Sequence, residues 1–126
     1  WASAYMESIC IFMEMQWIHS ACIHTGEYFH GPFEVTDCNA GFVVQIAEGS
    51  DRELDERCLR FLKKYAKRFE VLDAKELGIN RLDSSVAEYF NHLVFSSVLN
   101  NVYLRELSYA KKHPYQNRRY MWQVEY

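Results

Sequence analysis

The stretch Ala40–Asp73, AGFVVQIAEGSDRELDERCLRFLKKYAKRFEVLD, decides the fold class. Ala40 to Ala47 is a short apolar run with β-branched and aromatic side chains, the composition of a buried strand in a parallel sheet. Glu48-Gly49-Ser50 turns the chain, and Ser50 with Glu53 three residues on forms a capping-box signature for a helix. Leu54, Cys58, Phe61, Leu62 and Tyr65 then recur at helical spacing with charged residues opposite. That is an amphipathic surface helix ending near Arg68, where basic residues suit its C-terminal dipole. Phe69 to Asp73 reads as the next strand. Strand, helix, strand is the crossover that joins parallel neighbours, so the chain belongs to the α/β class.

Upstream lies Tyr5–Asp37, YMESICIFMEMQWIHSACIHTGEYFHGPFEVTD. A helix is expected from about Ala4 to Ala21, with Gly26 breaking any continuation. Met6, Ile9, Cys10, Ile11, Phe12, Met13, Met15, Trp17 and Ile18 leave it no solvent face, which is the mark of a buried helix. Two carboxylates nevertheless sit in it. Glu7 and Glu14 are seven residues apart, on roughly one face after two α-helical turns. Burial raises a carboxyl pKa and makes such a group a candidate acid or base. Sixteen residues beyond Glu14 stands His30, followed by Gly31 and Pro32, a flexible residue and a φ-locked one that fix the backbone past the imidazole. Downstream, Lys75 to Leu82 is a loop containing Gly78. Asp83 is placed to cap a long helix from about Ser84 to Lys112, largely buried through its apolar middle and stopped by His113-Pro114. A tail, 113–126, follows.

Glu7, Glu14, Gly26-Glu27 and His30-Gly31-Pro32 stand at spacings that resemble the sugar isomerase (SIS) domain family. In the isomerase half of glucosamine-6-phosphate synthase, a helix glutamate and an HGP histidine serve as base and acid. The wording MEMQW followed by GEYFHGPFE is closer still to the sugar-phosphate deglycases of the family, those similar to fructoselysine-6-phosphate and 6-phosphofructose-aspartate deglycases. Arg118-Arg119-Tyr120 with Val124-Glu125-Tyr126 resembles the tail of that subgroup. The resemblance spans most of the chain. It implies a three-layer α-β-α, Rossmann-like unit with a parallel sheet: the C-terminal SIS domain of residues 1–126, second of two in the parent protein and lacking its first strand.

The resemblance also implies an activity. A 6-phosphorylated Amadori compound would be cleaved to glucose 6-phosphate and a free amino acid, with Glu14 as base and His30 as acid. Arg118 and Arg119 would reach the substrate's phosphate or carboxylate. Neither metal nor organic cofactor is required by this chemistry. The implied partners are the phosphorylated sugar–amino acid substrate, the N-terminal SIS unit of the same protein, and a second copy in a homodimer with a shared active site. The Ser/Thr-rich phosphate loop of the family lies in the other SIS unit, so residues 1–126 alone are expected to be inactive. Two rivals share the motifs: a synthase-type aldose–ketose isomerase, and a non-catalytic SIS regulator that binds sugar phosphate. The synthase tail carries a lysine near the sugar ring, and no lysine follows Lys112 here, which favours the deglycase branch.

Composition fits this picture. The 126 residues are 49% hydrophobic and 25% charged, within the globular range. A net charge of −3 with no basic block argues against nucleic acid. No span of about eighteen uninterrupted apolar residues points to a membrane. Trp1 stands where an initiator Met would, and the chain reads as part of a longer, cytoplasmic protein. Cys10, Cys22, Cys38 and Cys58 form no C-x-x-C pair, and the spacings of His19, Cys22, His24 and His30 match no metal-ligand pattern; buried thiols are the expectation.

Overall fold

The computed structural model describes all of residues 1–126. The chain divides into two compact units, Trp1–Cys22 with Ser96–Tyr126, and Ile23–Phe95.

The second of these holds the sheet. Strands β1 (Gly41–Ile46) and β2 (Arg68–Asp73) pair in parallel, from Gly41 opposite Arg68 to Ile46 opposite Asp73. Helix α3 (Arg52–Tyr65) makes the crossover between them. Its apolar stripe buries Cys58 and Leu62 against Tyr28, Val44 and Ile46, with Phe29, Phe33, Phe61 and Val71 packed around them. Each fully buried side chain of this size contributes about 1.5–3 kcal/mol. The strands thus fall within a residue or so of where composition put them. The start of α3 does not: Asp51 is the N-cap, no side chain caps the helix, and the expected Ser50–Glu53 box is absent. Gly49, with φ 112°, begins a turn in which Arg52 N–H bonds Gly49 O and both Leu54 and Asp55 N–H bond Asp51 O. The backbone is therefore already wound at the position where the capping serine was expected. The helix also stops at Tyr65, because β2 takes Arg68.

An ion-pair brace ties the start of α3 to the end of β2. Arg52 donates from Nη1 and Nη2 to both oxygens of Asp73, at 3.0 and 2.6 Å, and Lys75 N–H adds a bond at 2.8 Å. Burial pushes the Asp73 carboxyl up, but the hydrogen bonds from Arg52 and Lys75 and their charges outweigh it and hold it below 3.8. A carboxylate depressed in the folded state stabilises fully above the unfolded value and loses that stabilisation as pH falls through the folded one. Arg52→Met is therefore expected to cost about 2 kcal/mol at neutral pH, and the gap to the parent should close well below pH 3.8. Denaturant midpoints across that range check this; a gap independent of pH would mean the brace is not the cause.

The other unit opens on α1 (Ala2–Tyr5), which runs directly into a π-helix, Met6–Met15. The expected helix to Ala21 is corrected here. Gln16 ends it, Trp17 turns left-handed with φ 54°, and Ile18 N–H reaches back to Phe12 O at 2.8 Å. Residues 18–24 are irregular, and the Ser20 and Ser8 hydroxyls pair at 2.6 Å. Nor is the helix buried all round. Glu7, Ser8 and Ile11 are buried, while Tyr5 and Met13 are exposed.

The expected long helix from Ser84 also differs. Asp83 accepts from Ser85 N–H and Oγ in a local turn, and winding begins as a 3-10 turn at Ala87–Phe90. It continues as α4 (Asn91–Val98), a π-helix over Leu99–Tyr103 and α5 (Leu104–Ala110). Phe95, Leu99 and Leu104 are buried, but Leu93, Val102 and Tyr109 are not, so the apolar middle is not the buried stripe that was expected. Among the cysteines only Cys58 is buried, and burial pushes its thiol up to about 11; Cys38 is exposed. No helix is long and apolar enough to cross a membrane.

Candidate active site

The winding of Met6–Met15 decides what its carboxylates face. A π-helix bonds i→i+5 rather than i→i+4, so each turn takes more residues and seven residues no longer complete two turns. Glu7 and Glu14 therefore do not share a face. Glu7 is 5% exposed, whereas the Glu14 side chain is 27% exposed and meets Arg118, Nη2 to Oε1 at 2.8 Å. The desolvated base expected from the sequence is instead a half-open carboxylate in an ion pair.

Four further contacts fasten the C-terminal segment to the end of this helix. Gln16 Nε2 donates to His113 O at 3.2 Å, and Lys111 Nζ donates to Gln16 O at 2.6 Å. The Trp17 and His113 rings meet edge-on, with centroids 4.4 Å apart. Arg119, exposed, lies over the Trp17 ring at 4.3 Å. Spacing singled out none of Gln16, Trp17 or Lys111. Their partners lie more than 90 residues away in sequence, beyond the reach of any local pattern.

His30 belongs to the unit Ile23–Phe95 and is exposed. It sits between two short helices, α2 (Thr25–Tyr28) and a 3-10 turn, Pro32–Val35. Gly26, expected to break helix, lies inside α2, where its N–H bonds His24 Nδ1 at 3.0 Å; a Cβ there would come within 3.1 Å of that nitrogen. Thr25 Oγ1 donates to Asp55 Oδ1 at 2.7 Å, and Ala47 N–H donates to Oδ2 at 2.9 Å, joining α2 to α3 and the end of β1. Burial raises the Asp55 carboxyl, against the opposing pull of these two bonds.

Aromatic anchors stand on both sides of the histidine. Tyr28 is buried with its hydroxyl on Thr36, and Phe29 packs on Phe33 and Phe61 beneath the Arg57 guanidinium, 4.2 Å from the ring. His30 N–H bonds Glu27 O at 2.9 Å, Gly31 takes φ 145°, and Pro32 opens the next turn. The backbone on either side is fixed while the imidazole faces solvent, an arrangement suited to delivering a proton to a bound molecule. Of the residues singled out by sequence, Glu14 and Arg118 are in contact, Arg119 is near them on Trp17, and His30 is held in the other unit.

Known proteins resemble this chain closely. Fructosamine deglycase FrlB of Bacillus subtilis (strain 168) is 50% identical over 123 residues, 98% of this chain and 37% of that protein. Fructoselysine 6-phosphate deglycase of Escherichia coli (strain K12) is 32% identical over 74 residues, 59% of this chain and 22% of that protein. A solved structure from Bacillus subtilis, described as a phosphosugar isomerase, superposes with a TM-score of 0.94 at 50% identity, covering 98% of this chain and 38% of that one. A second so described, from Salmonella typhimurium LT2, gives 0.93 at 50% identity with the same coverage. The chain thus spans just over a third of the length of the Bacillus subtilis and Salmonella relatives. No family model matches it.

Proposed function

This chain belongs to the SIS (sugar isomerase) family of sugar-phosphate deglycases, and from that premise we propose that the full-length protein cleaves a 6-phosphorylated Amadori compound to glucose 6-phosphate and a free amino acid. The observation that carries the proposal is the 50% identity to a fructosamine deglycase over 98% of the chain, a span long enough to include both Glu14 and His30.

The chemistry asks for two proton-handling groups. His30 gives a proton to the ring oxygen as the ketosamine opens. Glu14 takes a proton from C1 while O2 takes back the proton it released on ring opening, leaving an enaminol; Glu14 then returns its proton at C2 to give the imine of glucose 6-phosphate. Water adds to C1 and the amine leaves with the proton. A positioned carboxylate and imidazole are the usual agents of such transfers. The exposed Arg119 offers a cation to the substrate's carboxylate or phosphate. In this proposal base and acid are brought together in a homodimer that also uses the remainder of the protein, and the reaction calls for no cofactor.

The description of two structural relatives as phosphosugar isomerases favours a second reading, in which the same proton transfer interconverts an aldose and a ketose without releasing an amine. The test is to supply the full-length protein with fructose-aspartate 6-phosphate or fructoselysine 6-phosphate and follow glucose 6-phosphate and amino acid together. Equal amounts of both products are expected. Turnover of a plain sugar phosphate without amine release would favour the isomerase.

A further inference from the structure

The guanidinium of Arg118 is more confined than a surface tail would suggest. Its side chain is only 10% exposed, although the residues around it, Asn117 and Arg119, lie open to solvent. Nη1 donates to Tyr115 O at 2.8 Å and to Asn117 O at 3.0 Å, and the Trp122 ring lies 5.6 Å from the guanidinium carbon. Two carbonyls and a ring leave the group little freedom to turn. Nη2 then holds Oε1 of Glu14 at 2.8 Å. Nε is buried without a hydrogen-bond partner. Nε–H and Nη2 form one edge of the fork, an edge suited to gripping both oxygens of a carboxylate. Glu14 occupies only half of it.

We propose that Arg118 is a positioning residue for Glu14: anchored by the tail carbonyls, it grips Oε1 and so presents Oε2 as the oxygen that takes and returns the substrate proton. One-point attachment fixes where the carboxylate sits while keeping the second oxygen out of the fork. A two-point grip would engage both oxygens and blunt the base. Arg118 thus acts through Glu14 and does not touch the substrate, while its neighbour Arg119 is the one open to a ligand. The inference rests on Glu14 being the base.

The test uses the full-length protein and the product assay above, with Glu14→Gln, Arg118→Met and Arg118→Lys measured side by side. A misplaced catalytic group costs up to about a hundredfold in rate. Arg118→Met is expected to lower kcat by about ten- to a hundredfold with KM within about twofold of the parent. Arg118→Lys supplies one donor to Oε1 but cannot hold both tail carbonyls, and should fall between the two. A raised KM with parental kcat would make Arg118 a substrate ligand and overturn the inference, as would parental values for both constants. Should Arg118→Met fail to fold, judged by circular dichroism and thermal midpoint, Arg118→Lys decides alone, and parental kcat there overturns it. Substantial activity in Glu14→Gln sinks the base assignment itself. An inactive Glu14→Gln beside a parental Arg118→Met sinks only the role of Arg118.

Discussion

Glu14→Gln in the full-length protein is expected to lower kcat by about a thousandfold while leaving folding intact. A positioned acid–base group contributes typically 10²–10⁴ in rate, and the amide cannot take a proton from C1. Gln keeps the length of the side chain and can still accept from Arg118 Nη2, so the contact with the tail survives. The loss should appear in kcat and kcat/KM alike, because proton abstraction is made only in the transition state. Thermal midpoint and circular dichroism establish that the variant is folded. Activity within threefold of the parent would remove Glu14 from the mechanism.

His30→Asn is expected to cost about a hundredfold on the proposed, ring-closed substrate. Its side chain is exposed and contributes little to the core, so folding should be untouched. The role assigned to it is proton delivery to the ring oxygen, which suggests a sharper comparison. A 5-deoxy analogue of the substrate has no C5 oxygen with which to close the ring and is always open. His30→Asn should turn over that analogue nearly as fast as the parent does, whereas Glu14→Gln should be inactive on both. A full His30 deficit on the open analogue would transfer its role from ring opening to the enaminol step.

Some elements declared themselves in the sequence and others could not. β1 and β2 were legible because their apolar, β-branched runs are short and bounded by turn residues, and α3 because its apolar residues recur at 3.6-residue spacing. The HGP loop was legible for a local reason too: glycine at φ 145° followed by proline constrains the chain within three residues. The π-helical winding was not, since the same apolar residues serve α and π geometry and only the hydrogen-bond ladder distinguishes them. The misjudged face of Glu7 follows directly. The Glu14–Arg118 pair was hidden for a different reason. Its members are 104 residues apart, and each taken alone looked like a group directed at substrate. The exposed Leu93, Val102 and Tyr109 show the limit of reading burial from composition, because an apolar stripe does not say whether its cover lies in the same chain.

The winding of Met6–Met15 also constrains the length of the segment. A helix closed by i→i+5 bonds is what an α-helix becomes when one residue is inserted and both ends are held in place. Deleting a residue between Glu7 and Glu14 would restore the commoner ladder, but it would rotate one end against the other by about 100°. Glu7, buried, and Glu14, bound to Arg118, could not then both keep their stations. A one-residue deletion in this segment would thus displace one of the two carboxylates. Relatives sharing this arrangement should therefore vary in residue type along the segment far more readily than in its length.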